Sequence, residues 1–314
     1  MHDETCLSPS EDVGPRVEAR GDESKAEATV PDGLVLVSTP IGNLSDMTVR
    51  AAAALRIADH ILCEDSRVTS RLLAAWGINT RLVPLHEHNE DARIPATLQA
   101  LRDGKRVALV SDAGTPLVSD PGYRLVRAAL AEGLPVGGVP GANAALLALV
   151  LSGLPPQPFL FIGFLAPRAA ARRAALASLR SAERAGLSAT LVFYEAPHRL
   201  AETLADMADM LGDRPAAVAR ELTKRFEEVR RDRLDALATW YSANQVRGEI
   251  CVVVGPAEAD VRDEADIDAL LRTALGEVSL KEAVAKVTAA TGLPRKQVYA
   301  RALSLDATPG AQHD

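Results

Sequence analysis

Val107-Ala108-Leu109-Val110-Ser111-Asp112-Ala113-Gly114-Thr115-Pro116, running on to Ser119-Asp120-Pro121-Gly122-Tyr123, is the stretch that sets the fold class. Four consecutive apolar residues bounded by turn formers read as a short buried strand. The strand delivers a loop of small residues to the carboxyl edge of a sheet, which is where open α/β sheets bind ligands. Gly114 and Ala113 let a ligand approach the backbone closely, and Asp112 places a carboxylate at the strand end. Pro116 and Pro121 stiffen the turn. The loop is not a phosphate cradle, because neither G-x-G-x-x-G nor G-x-x-x-x-G-K-[ST] occurs in the chain.

Working outward, the same alternation repeats. Residues 34–38, 61–63, 82–83 and 134–139 predict strands. Residues 48–57, 68–76, 94–101 and 123–131 predict helices, and a long aliphatic helix is expected from Gly141 onward. Strands alternating with helices imply an α/β domain with a largely parallel sheet. The Ser152-Gly153-Leu154-Pro155-Pro156-Gln157-Pro158 stretch reads as a linker. Beyond it, residues 159–162, 191–193, 216–219 and 250–254 predict strands and 200–211 a helix. Residues 220–233 lack helical periodicity, which gives the second domain an α+β character with an antiparallel part. The tail is helical: Ser279-Leu280-Lys281-Glu282 is a capping box, Gly292 ends one helix, and Pro294 opens another. Two short helices joined by a Gly-containing turn suit either a packing pair or a helix-turn-helix. The expected organisation is an acidic extension over residues 1–32, an α/β domain over 33–152, an α+β domain over 159–257 and a helical tail over 258–314.

A chain of 314 residues that is 47% hydrophobic can bury two cores, and with only 4% aromatics those cores are aliphatic and alanine-rich. Residues 1–32 hold nine acids against three bases, which is nearly all of the net charge of −7. That head lacks an apolar stretch, so it reads as a disordered extension and not as a signal or transit peptide. The apolar region over 141–165 is broken by Asn143, Ser152, Gly153 and three prolines, so no membrane span is expected. Cys6, Cys63 and Cys251 are odd in number and far apart, which points away from disulfides and cysteine-based zinc sites and towards a cytoplasmic protein.

Four predicted strand ends carry small or polar clusters: Thr39-Pro40-Ile41-Gly42-Asn43, Glu64-Asp65-Ser66-Arg67, His86-Glu87-His88 and the loop after Val110. Parallel strands would bring them to one edge. In a strand, His86 and His88 would point to one face, but no third ligand has a suggestive spacing, so no metal is expected and a solvated loop or a substrate contact is preferred. Arg168, Arg172, Arg173, Arg180 and Arg184 form a one-sided basic segment that suits a polyanion such as RNA. Arg220, Lys224, Arg225, Arg230, Arg231 and Arg233 form a second one, balanced by four acids.

These motifs, with Gly163-Phe164-Leu165, Phe193-Tyr194-Glu195, Ala219-Arg220-Glu221-Leu222-Thr223-Lys224 and Gly248-Glu249, appear in one order, and the chain resembles the ribosomal RNA small-subunit methyltransferase I family. That family belongs to the tetrapyrrole-methylase-like superfamily, and the resemblance runs from about Leu34 to Gly255. It implies two α/β domains of the class III methyltransferase type with a cofactor cleft between them. It implies S-adenosylmethionine as methyl donor, a homodimer, and a cytidine ribose 2′-hydroxyl in the decoding region of 16S ribosomal RNA, within the small ribosomal subunit, as acceptor. Carried over, the cofactor residues are Asp112, Ala113, Gly114 and Leu117, with Pro40, Ile41, Gly42, Asn143, Ala144, Tyr194, Glu195 and Ala219. The chain departs from the family pattern at Ala142-Asn143, where a proline and a small hydroxyl residue are common, and at Ser66, where threonine is usual.

A ribose hydroxyl is a poor nucleophile, so methyl transfer to it benefits from a positioned base or a cation. Glu64 and Asp65 are the candidate bases, alternatively an ion pair with Arg67 or Arg71. Arg67 and Lys224 could polarise the oxygen or hold the neighbouring phosphate, while His86, His88, Arg168, Arg172, Arg173, Arg220 and Arg225 are expected substrate contacts. Two rival functions stay open: a tetrapyrrole (precorrin-type) methyltransferase, and a non-catalytic ribosome assembly factor. The near-neutral body fits a folded ribosomal particle better than naked RNA.

Overall fold

The computed structural model describes residues 30–257, 264–291 and 295–306. Most of the acidic head, with Cys6, and the Gly292–Pro294 turn lie outside the described residues. The chain divides into two compact units, one running to Thr39 and resuming over Leu44–Gly141, the other comprising Pro40–Asn43 and Ala142–Asp314.

In the first unit the strands are β1 (Leu34–Val37), β2 (His60–Cys63), β3 (Leu82–Pro84), β4 (Val107–Leu109) and β5 (Val136–Val139). They pair in the order β3-β2-β4-β1-β5, all parallel, with Leu34 opposite both Val107 and Val136. The connecting helices are α1 (Val49–Ile57), α2 (Ser66–Ala75), α3 (Glu90–Arg102) and α4 (Tyr123–Ala131). The strands read as apolar runs because both faces are covered. Val35, Val37, Ile61 and Ala108 pack with Leu55 of α1 and Leu72 and Leu73 of α2. Their neighbours Leu34, Leu62, Val107 and Leu109 pack with Leu98 and Leu101 of α3 and Leu125 of α4. Parallel pairing places the ends of β1 to β5 at one edge, as the sequence pattern predicts.

The second unit opens with α5 (Ala144–Ser152). The expected long helix is a correction: it has nine residues, started by the Asn143 side chain accepting from Leu146 N–H and stopped at Gly153, a left-handed residue with φ 74°. The rest comprises β6 (Phe159–Phe164), α6 (Ala169–Arg184), β7 (Thr190–Glu195), α7 (Leu200–Leu211), β8 (Pro215–Arg220), β9 (Glu228–Arg233), α8 (Leu234–Ala243) and β10 (Ile250–Val254). The order is β6-β7-β10-β8-β9, with only β6 and β7 parallel. The antiparallel part expected over 220–233 is the β8–β9 pair. Helices α6 and α8 have no counterpart among the sequence-based elements. One sheet face packs Phe193 and Val252 with Leu176, Leu204 and Leu237 of α6, α7 and α8, and the other packs Val192 and Val253 with Ala148 and Leu149 of α5.

The tail holds α9 (Glu264–Glu277), α10 (Leu280–Thr291) and α11 (Arg295–Asp306) around a core of its own, including Leu271, Val284, Val287 and Val298. The glutamate arm of the capping box forms: Glu282 Oε2 accepts the Ser279 N–H at 3.2 Å and the Ser279 hydroxyl at 2.7 Å.

Candidate functional site

The loop after β4 is fixed to the end of β1. Thr39 and Gly114 exchange backbone hydrogen bonds at 2.9 and 3.1 Å, and the Thr39 hydroxyl donates to the Ser111 carbonyl at 3.3 Å. Ser111 donates back to the carbonyls of Ala113 and Gly114, at 3.2 and 3.3 Å. Gly114 has φ 81°, and the non-glycine residues Leu117 and Ser119 sit at φ 70° and 69°. Two left-handed non-glycine residues in one loop store backbone strain of the kind concentrated at ligand clamps. Ala113 is exposed between buried Ser111 and Gly114, so the loop offers backbone to a ligand without a side chain in the way.

Three carboxylates interact at this loop, Asp112 and Asp120 within it and Glu64 at the end of β2. Asp112 Oδ1 accepts the Asp65 backbone N–H at 2.9 Å, joining the ends of β4 and β2. Burial pushes the Glu64 carboxyl up from its ordinary value, the Asp112 charge adds to the rise, and His86 opposes it. Asp120 is pushed up to about 6, chiefly by burial and then by the charges of Glu64 and Asp112. Asp65 behaves in the opposite way. It is the N-cap of α2, accepting the Arg67 N–H at 2.8 Å and the Arg67 guanidinium at 2.6 Å. Those bonds, side chain first and then backbone, hold it at about 2. The expectation that Asp65 serves as a base is therefore corrected, because a capped and ion-paired carboxylate at about 2 has little proton affinity at neutral pH. Arg67 is its partner, with the arginine side chain 85% exposed.

His86 and His88 lie beyond β3, at the strand end where the sequence pattern places them. β3 ends at Pro84, and Asn89 shapes the following turn by accepting the His86 N–H at 2.9 Å. His86 Nε2 lies 3.1 Å from Asn89 Nδ2, while Nδ1 is buried without a hydrogen-bond partner among the described residues. His88 is exposed, its ring centroid 6.2 Å from that of His86. No group of three metal-ligating side chains occurs among the described residues.

The remaining expected contacts belong to the second unit. Ile41 is buried against Ala145, Ala148 and Leu149, so its side chain is core. Pro40 is buried as well, and exposed Gly42 lies under Lys224, where an added Cβ would stand 2.4 Å from Lys224 Cγ. Lys224 is held by Glu221 at 2.9 Å and Glu249 at 3.2 Å. Burial pulls its ammonium down, and the two carboxylates more than offset that, so it stays charged. Glu221 and Thr223 carry positive φ of 51° and 66°, a second strained loop. Asn143 is the α5 cap and Ala144 its first residue, so at this turn the asparagine side chain does what a small hydroxyl residue would do. Tyr194 stacks edge-on with Phe161 at 5.0 Å, and Ala219 is buried in β8.

The Glu195 carboxylate is engaged within the unit. It is 3% exposed, with Oε1 accepting from Ala196 N–H at 2.7 Å and Arg199 Nε at 2.9 Å, and Oε2 from the Thr203 hydroxyl at 2.6 Å. Such a carboxylate organises the unit interior and leaves only its backbone for a ligand.

The basic segments divide in the same way. Arg172, expected to meet a polyanion, is 3% exposed and paired with Asp206 at 2.6 Å, which corrects that expectation. Arg173 is half-exposed and bonded to Asp206 and Asp209. Arg168 is exposed without an ion pair among the described residues. Arg220 pairs with Glu228 at 3.0 Å, and Arg230 lies 3.7 Å above the Trp240 ring. Arg225 is exposed against Phe226, itself 64% exposed.

Residues 33–238 match the family Tetrapyrrole (Corrin/Porphyrin) Methylases, and residues 261–306 match the RsmI C-terminal HTH domain. The chain is 48% identical over 279 residues to a ribosomal RNA small subunit methyltransferase I of Mesorhizobium japonicum, covering 88% of this chain and 93% of that one. The chain belongs to this methyltransferase family. The Bacillus subtilis member is 43% identical over 274 residues, 85% of this chain and 92% of that one. Among solved structures, diphthine synthase superposes with a TM-score of 0.55 at 17% identity, covering 71% of this chain and 90% of that one. A Thermus thermophilus uroporphyrin-III C-methyltransferase complexed with S-adenyl homocysteine reaches 0.50 at 22% identity, over 71% of this chain and 97% of that one. Both share the fold of this family. Sequence reasoning missed Asp120 as a perturbed group, although Ser119-Asp120-Pro121 directly follows the strand-end loop; its shift comes from burial and from the charges of Glu64 and Asp112, neither of which local pattern reveals.

Proposed function

We propose that this protein transfers a methyl group from S-adenosylmethionine to the ribose 2′-hydroxyl of a cytidine in the decoding region of 16S ribosomal RNA, acting on the small ribosomal subunit as a homodimer. The observation that carries the RNA acceptor is the identity of up to 48% with relatives named for ribosomal RNA methylation. The donor is supported by the strand-end loop. Open backbone at Ala113, the carboxylates of Asp112 and Asp120, and a His86 Nδ1 without a hydrogen-bond partner among the described residues suit a ligand with a positive sulfonium and polar groups but no phosphate.

When bound, the donor supplies an activated methyl on a sulfonium. The protein's part is positioning and proton handling, the former able to lower the barrier by roughly 7–11 kcal/mol in well-oriented systems. Glu64 is the base in this reading: half-buried and raised above an ordinary carboxylate, it accepts the proton of the ribose hydroxyl as the oxygen becomes alkylated. Asp65 holds α2 and Arg67 in place. Lys224, fixed by Glu221 and Glu249, and exposed Arg168 and Arg225 offer charge to RNA phosphates. The family resemblance adds Pro40, Gly42, Leu117, Asn143, Ala144, Tyr194 and Ala219 to the residues assigned to the donor in this reading.

The experiment is single-turnover methylation of small subunits by wild type and Glu64→Gln, with donor binding followed by calorimetry. The variant should lose about 10²–10⁴-fold in rate while still binding the donor. An unchanged rate removes Glu64 from the chemistry, and methyl incorporation away from the cytidine ribose removes the acceptor assignment.

A further inference from the structure

The helical tail is polarised by charge in a way the methyl-transfer reading does not use. In sequence, α9 is acidic, whereas α10 and α11 carry Lys281, Lys286, Arg295, Lys296 and Arg301. The bases that face α9 are neutralised. Lys286 pairs with Glu277 at 3.2 Å, and Arg301 pairs with Asp268 at 2.7 Å. Glu282, next to Lys281, is occupied in the α10 cap. Lys281, Arg295 and Lys296 are left exposed, with no ion pair among the described residues.

The geometry of α11 groups these cations with apolar surface. Val298 and Ala302 form its buried stripe, at 1% and 0% exposure. Arg295, Tyr299 and Leu303, spaced by four residues, lie on the exposed face that flanks this stripe, beside Lys296. Tyr299 is 46% exposed and Leu303 44%. An unpaired cation pair beside an exposed aromatic ring is the composition that holds looped or single-stranded RNA, by phosphate contact and base stacking. Cations in the first turn of a helix also oppose the helix dipole. Their presence there costs the free protein stability that a bound polyanion returns.

We infer that the Arg295–Lys296–Tyr299–Leu303 face of α11 is an RNA-docking surface, with the cations on phosphates and Tyr299 on an unstacked base. The inference rests on ribosomal RNA being the substrate. A protein partner is the competing occupant of the same face, and the charge of the unpaired bases favours RNA.

The test uses the full chain. Equilibrium binding to naked 16S RNA and to small subunits is measured across a salt series for wild type, Arg295→Glu/Lys296→Glu, Tyr299→Ala and the control Arg272→Gln, whose side chain faces Asp268 on α9. The charge reversal should weaken RNA binding roughly tenfold or more and lower the salt slope by about 1.4–1.8, the value for two lost phosphate contacts. Tyr299→Ala should weaken it without changing the slope, and the control should match wild type. All four residues are surface groups, and unchanged helical content and thermal melting of the full chain report the fold, tail included. A charge reversal that leaves both affinity and slope at wild-type values overturns the inference alone. Weakening confined to assembled subunits and independent of salt also overturns it, in favour of a ribosomal protein. Wild type that binds no ribosomal RNA overturns the functional reading itself.

Discussion

The backbone N–H of Asp65 donates to Asp112 Oδ1 at 2.9 Å, so the carboxylate ending β4 holds the first turn of the chain after β2. Asp112→Ala leaves that N–H without its acceptor, at an expected cost of about 1–3 kcal/mol in urea unfolding. Asp112→Asn keeps an acceptor oxygen and should lose much less. Both variants remove a negative charge that raises Glu64 and Asp120. The acidic limb of the methylation rate should therefore move to lower pH in Asp112→Asn. Equal stability of wild type and Asp112→Ala would show that the bond does not hold the edge together.

The strands around this bond were legible because each is a short apolar run closed by small or polar residues. The two helical faces around them then followed from periodicity. What stayed hidden depends on partners far along the chain. Arg172 looks like one of five arginines on a basic segment until Asp206, 34 positions later, closes on it from α7. Glu195 belongs to a motif that suggests a ligand contact, yet Arg199 and Thr203 take its carboxylate inside the unit. His86 and His88 alternate as in a strand, but the Asn89 side chain bends the backbone into a turn. Local pattern carries strands and caps, whereas the role of a charged side chain is decided by which opposite charge the fold brings to it.

Arg172 and Arg168 separate structure from substrate contact. Arg172→Ala leaves the 12%-exposed Asp206 short of its buried partner and should destabilise the chain by about 3–5 kcal/mol. Arg168→Ala removes an exposed charge and should change stability by less than about 0.5 kcal/mol, while weakening RNA binding. Thermal melts and salt-dependent RNA binding on the two variants check both halves. An Arg172→Ala protein with wild-type melting would show that the pair contributes nothing to the fold.

Asp120 gives the unit a pH dependence of definite sign. Its folded value of about 6 lies above the ordinary 3.8, so the folded protein binds its proton more tightly than the unfolded chain. The resulting stabilisation is present below pH 3.8 and is lost as pH rises through 6. Asp120→Asn should remove this loss, raising stability at pH 7 to 8 by on the order of 1 kcal/mol after solvent screening. Melting temperatures of wild type and variant across pH 4 to 8 test it, and parallel curves would remove Asp120 as the source.

Gly42 and Lys224 form the last testable pair. An alanine Cβ at 42 would stand 2.4 Å from Lys224 Cγ and 2.9 Å from Thr223 Oγ1. Thr223 has little freedom to move, because its hydroxyl accepts the Asn43 N–H at 3.1 Å. The flexible lysine therefore gives way, leaving its contacts with Glu221 and Glu249. Gly42→Ala should cost about 1–2 kcal/mol of stability, modest for an overpacked site because a side chain and not backbone yields. Its larger effect should be on methylation if Lys224 meets RNA phosphate as proposed, since the lysine is then no longer fixed. In a Lys224→Ala background only the Thr223 Oγ1 contact is left, so Gly42→Ala should cost clearly less, with a coupling of about 1 kcal/mol or more in the double-mutant cycle. Additive losses in that cycle would mean that Gly42 acts on the site by some route other than the position of Lys224.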